Sequence, residues 1–512
     1  MCDRQSMLVA YDLGLGKTVL TIAAVERLMD EGRITEPGIV ICLSSLKYQW
    51  AGQITKFTNG TSTPLVIDGD KKKRTAQYEQ AYDWVNSGVD YVIMNYEQVV
   101  NDWEMVKKLP RGFVVLDEAT AIKSFKSKRA KHVKRLANSP FRFALTGTPV
   151  ENGKPEELFS IMQFVDKDVL GRFDIFDKAF IVRNNWGGVE RYVNLPVLHE
   201  RIKDASVRKA QKDPDVAPYL PDAIHEDPIL VTFDRKTAKV YSKILRDLLY
   251  DLDEAQTLFG GSFNIFAHYG MQSDNSGPEA EARGKIMSKI GCLKMLCSHP
   301  DLLRTSATKY TQMGGEGSAY AHELVEEGHM DGVTSTPKLD YLEAYVKDFL
   351  DQDEANKVVI FATHVDMLDY IVERLGEDRC VKYSGRLDAK TKEANKVRFN
   401  TEPDIRVLVS SDAGGYGVDL PAANLLVNYD LPWSAGSATQ RNGRINRASS
   451  TWETIIIQDI LVRGSIEVRQ HDALQQKNAV ADAVVDGKGI DAHGGLDLTL
   501  GSLKKFLEKS SV

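Results

Sequence analysis

The run Met7-Leu8-Val9-Ala10-Tyr11 leads directly into Asp12-Leu13-Gly14-Leu15-Gly16-Lys17-Thr18, and a helical pattern follows from Val19 to Met29. An apolar strand, a glycine turn and a helix in that order make a phosphate loop. Backbone N–H groups around Gly14, Leu15 and Gly16 and the helix N-terminus face the phosphates, Lys17 adds a point charge, and the Thr18 hydroxyl ligates Mg2+. The match to G-x-x-x-x-G-K-[ST] is partial, because Tyr11 occupies the first glycine slot. Taken alone, the run also reads as an ordinary glycine turn.

Working outward, short apolar runs alternate with amphipathic helical patterns at Gly38 to Leu43, Asp90 to Asn95, Gly112 to Leu116 and Phe141 to Leu145. The rhythm returns at Lys357 to Phe361, Cys380 to Tyr383, Ile405 to Ser410, Asn424 to Asn428 and Glu453 to Leu461. Strands that are apolar throughout, separated by helices, predict parallel sheets covered on both faces. The fold class is therefore α/β with two lobes. Between them, from Val165 to Thr336, helical stretches such as Lys236 to Leu258 and Ala282 to Leu296 take over. The expected division is a first lobe at 1–165, a helical insertion and linker at 166–336, a second lobe at 337–464, and a brace helix and tail at 465–512. In that last part Ser465 to Val485 reads as one long helix, followed by a Gly-rich break at Gly487 to Gly495 and a short helix ending at Lys509.

Composition excludes several classes. The chain has 512 residues, 43% hydrophobic and 27% charged, which suits a globular protein of about three domains at roughly 150 residues each. Lys+Arg 65 against Asp+Glu 72 gives a net charge of -7, so any polyanion contact must be local. Five cysteines read as thiols of a reducing interior. Cys292, Cys297 and His299 lack the second ligand pair a zinc ribbon needs. With no apolar run of about 18 residues and no cleavage pattern, the expected location is cytoplasmic, with no membrane partner.

Val114-Val115-Leu116 delivers Asp117 and Glu118 to the carboxyl edge of a sheet, where ligands bind. Asp117 would hold Mg2+ and Glu118 would activate a water, although the pair alone reads equally well as a solvated strand end. Leu145-Thr146-Gly147-Thr148-Pro149 places two hydroxyls at another strand end. In the second lobe, Gln440-Arg441-Asn442-Gly443-Arg444-Ile445-Asn446-Arg447 reads as helical, which would send Arg444 and Arg447 off one face toward a phosphate. A surface-charged helix is the plainer alternative. Lys123, Lys126, Lys128, Arg129, Lys131, Lys134 and Arg135 run without an intervening acid, and Lys71 to Arg74 forms a second basic cluster. Such runs neutralise nucleic-acid phosphates or simply face solvent.

The ordered set DLGLGKT, IVICLSSLKYQW, YVIMNYE, DEAT, LTGTP, LKMLCSHPDLL, VVIFATHVDMLDYI, SDAGGYGVDLPAAN and QRNGRINR resembles the Swi/Snf family of double-stranded DNA translocases in helicase superfamily two. The resemblance implies two RecA-like lobes with ATP between them, and helical insertions marked by LKMLCSHPDLL, with Cys297 and His299 as packing residues. It implies that Gly14, Gly16, Lys17 and Thr18 bind ATP, that Asp117 and Glu118 are the magnesium and water-activating pair, and that Gln440, Arg444 and Arg447 complete the catalytic set. It further implies that Gly415, Gly417 and Asp419 link the nucleic acid to ATP, and that Lys47, Ser384 and Gly385 touch the backbone. Two departures stand out: Thr120 replaces the histidine of DEAH, and RINRASS replaces RAHRIGQ. The upstream adenine-reading segment is expected to be missing, with a protein partner as one way to complete it.

The resulting expectation is a monomeric ATP-dependent motor with Mg2+ as cofactor, tracking along duplex DNA without base specificity, in a bacterial or phage-infected cell and associated with the nucleoid. A strand-separating DNA or RNA helicase and an ATP-gated clamp needing a partner remain the alternatives.

Overall fold

The computed structural model describes residues 1–183, 189–259, 277–312, 316–412 and 418–487, with Lys504 and Leu507. The chain forms two compact units: Met1–Arg183, Val189–Val216 and the chain from Lys477 make the first, and Ala217–Gln476 with Lys504 and Leu507 the second.

The first unit is built on β1 (Ser6–Tyr11), β2 (Gly38–Cys42), β3 (Pro64–Val66), β4 (Tyr91–Asn95), β5 (Phe113–Leu116) and β6 (Phe141–Leu145), with a small antiparallel hairpin of β7 (Ile181–Arg183) and β8 (Val189–Tyr192) beside it. β9 (Ser206–Lys209) completes a seven-stranded parallel sheet of order β3-β4-β2-β5-β6-β1-β9. Alternate residues feed opposite faces. Leu8, Ile39, Ile41, Val114 and Leu116 join one core, while Val9, Val40, Val115 and Phe143 join the other. Two buried faces are why these strands read as unbroken apolar runs.

The second unit holds β10 (Asp222–His225), β11 (Ile229–Val231), β12 (Val358–Phe361), β13 (Cys380–Tyr383), β14 (Val407–Ser410), β15 (Leu425–Asn428) and β16 (Thr454–Val462). The parallel order is β10-β16-β15-β12-β14-β13, and the long β16 also pairs with β11.

The expected separate insertion at 166–336 is corrected. Its first part belongs to the first unit, contributing β9, and its later part to the second, contributing β10 and β11. These strands are three or four residues long: β9 is Ser-Val-Arg-Lys and β10 Asp-Ala-Ile-His, neither an apolar run, and β11 is apolar but only Ile-Leu-Val. The helices Arg235–Phe259 and Pro278–Ser298 share one core with β12, through Ile244, Leu248, Ile290 and Leu293 against Val358 and Ile360. Cys297 lies in that core and His299 stacks on Tyr370 with ring centroids 4.2 Å apart. The long helix Ile466–Val485 forms as expected, and its Val480, Ala483 and Val484 belong to the core of the first unit. The expected break and terminal helix beyond Gly487 lie outside the described residues, apart from Lys504 and Leu507.

Candidate active site

Three consecutive strands, β5, β6 and β1, bring Asp117, the Thr146–Thr148 loop and the Asp12–Thr18 loop to one carboxyl edge of the first sheet. Gly14 (φ 81°) and Gly16 (φ 73°) adopt the left-handed conformation, which a Cβ would strain. Gly16 caps the helix Lys17–Asp30 without a side-chain acceptor, so the first helical N–H groups are left for an anion. Lys17 Nζ donates to the carbonyls of Tyr11 at 3.0 Å and Asp12 at 3.2 Å. Both of these acceptors are neutral carbonyls.

Asp117 is buried, its Oδ2 accepting from Trp50 Nε1 at 2.8 Å and its Oδ1 from the backbone N–H of Glu118 at 3.0 Å. Burial pushes its carboxyl up, opposed by the Trp50 hydrogen bond and then by the charge of Lys17. The two motifs thus sense each other electrostatically. Glu118 has φ 49°, an unfavourable left-handed geometry for a non-glycine residue, of the kind that collects at functional sites. Tyr96 braces the turn, donating to the Asp117 carbonyl at 2.7 Å. Gly147 packs close: a Cβ there would stand 3.4 Å from Leu13 and from the Tyr11 carbonyl. The Thr148 hydroxyl is buried without a hydrogen-bond partner among the described residues.

In the second unit the helical reading of the arginine segment is corrected. The helix Ala435–Asn442 carries Gln440 and Arg441 but ends ahead of Gly443, so Arg444 and Arg447 lie beyond it and share no helix face. Asn-Gly is a poor helix pair, and the N–H of Gly443 closes the last turn on Thr439. Both arginines are buried. Arg447 pairs with Asp419 at 2.9 Å, while Arg444 donates to the Val418 carbonyl at 3.5 Å. Burial lowers the pKa of Arg447. Arg441 pairs with Asp412, and its Nη2 lies 3.6 Å from Asp430, which also accepts from the Thr363 N–H at 2.8 Å. Burial opposes the charge on Arg441, but Asp412 and Asp430 outweigh it. Gly415 and Gly417 lie outside the described residues.

The expected nucleic-acid residues divide. Lys47, expected to touch the nucleic-acid backbone, is 2% exposed and donates to the Ile67 carbonyl at 2.9 Å and to Asp68 at 2.6 Å. Lys123 pairs with Glu151, and Arg129 with Glu97. Lys134 turns inward to Ser160 and Gln163, and burial lowers it to about 8. Lys126, Lys128 and Lys131 stand exposed. Ser384 is buried and Gly385 exposed.

Residues 1–302 match the model of the SNF2-related domain. The chain belongs to the SNF2-related family. Residues 338–449 of this SNF2-related chain also match the helicase conserved C-terminal domain. The chain is 27% identical to the DNA repair and recombination protein RAD54-like of Gallus gallus, over 98% of this chain and 66% of that one. To the ISWI chromatin-remodeling complex ATPase ISW1 of Saccharomyces cerevisiae it is 24% identical, over 93% of this chain and 38% of that one. It thus spans about two thirds or less of the length of these curated relatives. The fold is similar to that of the Pyrococcus furiosus Hef helicase domain, with TM-score 0.50 and 17% identity over 92% of this chain and 95% of that one.

Three residues of the SNF2-related chain escape a reading of sequence alone. Trp50 holds Asp117, and its signal is general: a buried indole N–H needs a partner. Arg208, on β9, pairs with Asp12 of the nucleotide loop and, at 2.7 Å, with Asp486 beyond the C-terminal helix. Gln211 adds bonds to Asp12 at 2.9 Å and the Leu13 carbonyl at 3.1 Å. No spacing rule joins residues that far apart.

Proposed function

We propose that the chain is an ATP-hydrolysing motor that moves along double-stranded DNA by its phosphate backbone, without base specificity. The carrying observation is the alignment of the glycine loop, the Thr146–Thr148 loop and Asp117-Glu118 on three consecutive strand ends. The family supports the reading, and the chain's relatives include a DNA repair and recombination protein and a chromatin-remodeling complex ATPase.

In this reading the loop N–H groups and Lys17 hold the phosphates, and Glu118 orients and deprotonates the attacking water. Arg444 and Arg447 meet the charge that develops on the transferred phosphoryl group, which requires Arg447 to leave Asp419. Thr18 and Asp117 fit a divalent cation: both offer oxygen, and each Asp117 oxygen accepts one described hydrogen bond while keeping a further lone pair. Magnesium there would neutralise phosphate charge.

Hydrolysis assays with duplex DNA, single-stranded DNA and RNA test the substrate, with stimulation by duplex expected. Displacement of a triplex third strand without opening of a forked duplex supports the translocase. Efficient fork opening replaces it with a strand-separating helicase, and hydrolysis with neither activity replaces it with a clamp. No helix among the described residues is long and apolar enough to cross a membrane.

A further inference from the structure

The second unit contains a groove of about 660 Å³ between the helix Arg235–Phe259 and the turn Gly328–Val333, remote in sequence from every motif used above. Arg235, Lys236, Lys239, Lys243 and Arg246 line it, against one carboxylate, Asp331. The opposite face of the helix, with Tyr241, Ile244, Leu248 and Leu252, is buried in the core, so the cations project outward from an anchored element.

A solvated basic helix ordinarily balances its cations with carboxylates one turn away. Here only Lys243 has one, Asp247 at 3.0 Å. Arg235, Lys236, Lys239 and Arg246 are exposed and have no ion-pair partner among the described residues. The charges are also segregated against the helix dipole. The first turn holds no acid and the last no base, with cations over residues 235–246 and Asp247, Asp251, Asp253 and Glu254 after them. A helix favours the reverse order; at its N-terminus Asp234 accepts from the N–H groups of Lys236 and Thr237, and further along Asp251 pairs with Lys289. Gly332, in the turn that forms the other wall, has φ +66°, a left-handed conformation that favours glycine.

Arg235, Lys239, Ser242 and Arg246 follow i, i+4, i+7, i+11, one stripe along the helix. At 1.5 Å rise per residue the stripe is about 16 Å long. A DNA strand carries regularly spaced phosphates, so a stripe of this length can face several of them along one strand. We infer that this groove is a second DNA site of the chain, holding one strand of a duplex by its phosphates, apart from the motor's own contacts. The inference rests on the duplex-DNA reading above.

The test is anisotropy of a labelled duplex of arbitrary sequence, titrated without nucleotide over a range of salt. For the quadruple variant Arg235→Ala, Lys236→Ala, Lys239→Ala, Arg246→Ala, the slope of log affinity against log salt should flatten by about 3 to 4. Exchanging arginine and lysine at the same four positions should preserve the slope. Lysine acetylation of the unaltered chain gives an independent readout: duplex should protect Lys236 and Lys239. Binding by the unaltered chain, with an unchanged slope in the alanine variant or no protection of those lysines, overturns the groove and leaves the motor reading intact. Absence of duplex binding by the unaltered chain at low salt overturns both.

Discussion

The two units use the same parallel sheet but treat the charges at their strand ends in opposite ways. In the first, Lys17 rests on the carbonyls of Tyr11 and Asp12, and Asp117 is held by an indole and a backbone N–H. The hydrogen bonds named here come from neutral groups on both sides. In the second, Arg447 is paired with Asp419, and Arg441 with Asp412 and Asp430. A site prepared with neutral partners is preorganised for a charged ligand, whereas one built from internal ion pairs must exchange partners before it acts.

The largest effects should separate these two modes. Lys17→Ala should lose ATP affinity and turnover together, because its ammonium is poised in the ground state. Arg447→Ala should lower turnover by about a thousandfold while leaving ATP affinity nearly unchanged, because its contact comes only in the transition state. Steady-state hydrolysis combined with equilibrium binding of a fluorescent ATP analogue checks this. Equal loss of affinity in both variants would erase the distinction between the units.

Arg441 sharpens the comparison from the stability side. With Asp430 fully buried, Arg441→Ala leaves a carboxylate without its guanidinium, a change that costs about 3–5 kcal/mol. Denaturant unfolding should show that loss in the second unit. A loss under about 1 kcal/mol would mean that the Thr363 contacts hold Asp430 unaided.

A smaller effect is expected at Arg208, where the first unit places ion pairs behind the nucleotide loop. Arg208→Gln should raise KM for ATP by about tenfold, one lost charge-assisted bond, with kcat little changed. Asp486→Asn should produce part of the same rise, since it removes the second anchor of the same guanidinium. A change in kcat alone would show that Arg208 acts elsewhere.

Much of this arrangement is legible in the sequence, for reasons that also mark its limits. The central strands and the glycine loop can be read because burial on both faces writes an apolar run and a left-handed turn demands glycine. β9, β10 and β11 cannot, because short edge strands need no such run. The motif order singles out Lys17, Asp117 and Arg447 as candidates, but spacing alone misassigns Arg444 and Arg447 to a helix that stops at Asn442. Charge runs are least informative: Lys126 and Lys134 look alike in the chain, yet one is exposed and the other folded onto Ser160 and Gln163.

That last pair yields the smallest predicted effect and the finest contrast between the units. Lys338 of the second unit, 1% exposed, is neutralised by Glu467 at 2.6 Å, but Lys134 of the first has a hydroxyl and an amide in place of a carboxylate. Burial therefore lowers Lys134 from 10.5 to about 8. Between those values the unfolded chain binds more protons than the folded one, so stability rises with pH from about 8 toward 10.5. Lys134→Met removes this titration, and the rise in Tm of the first unit across that window should shrink by a few degrees, at about 2–4 °C per kcal/mol. Because the ammonium is turned inward, the same variant should leave the salt dependence of duplex binding unchanged. Replacing exposed Lys126, Lys128 and Lys131 by alanine should instead flatten that dependence by up to about three phosphate contacts, with the pH profile intact. A flatter salt dependence in Lys134→Met would show that Lys134 leaves Ser160 and Gln163 to reach phosphate.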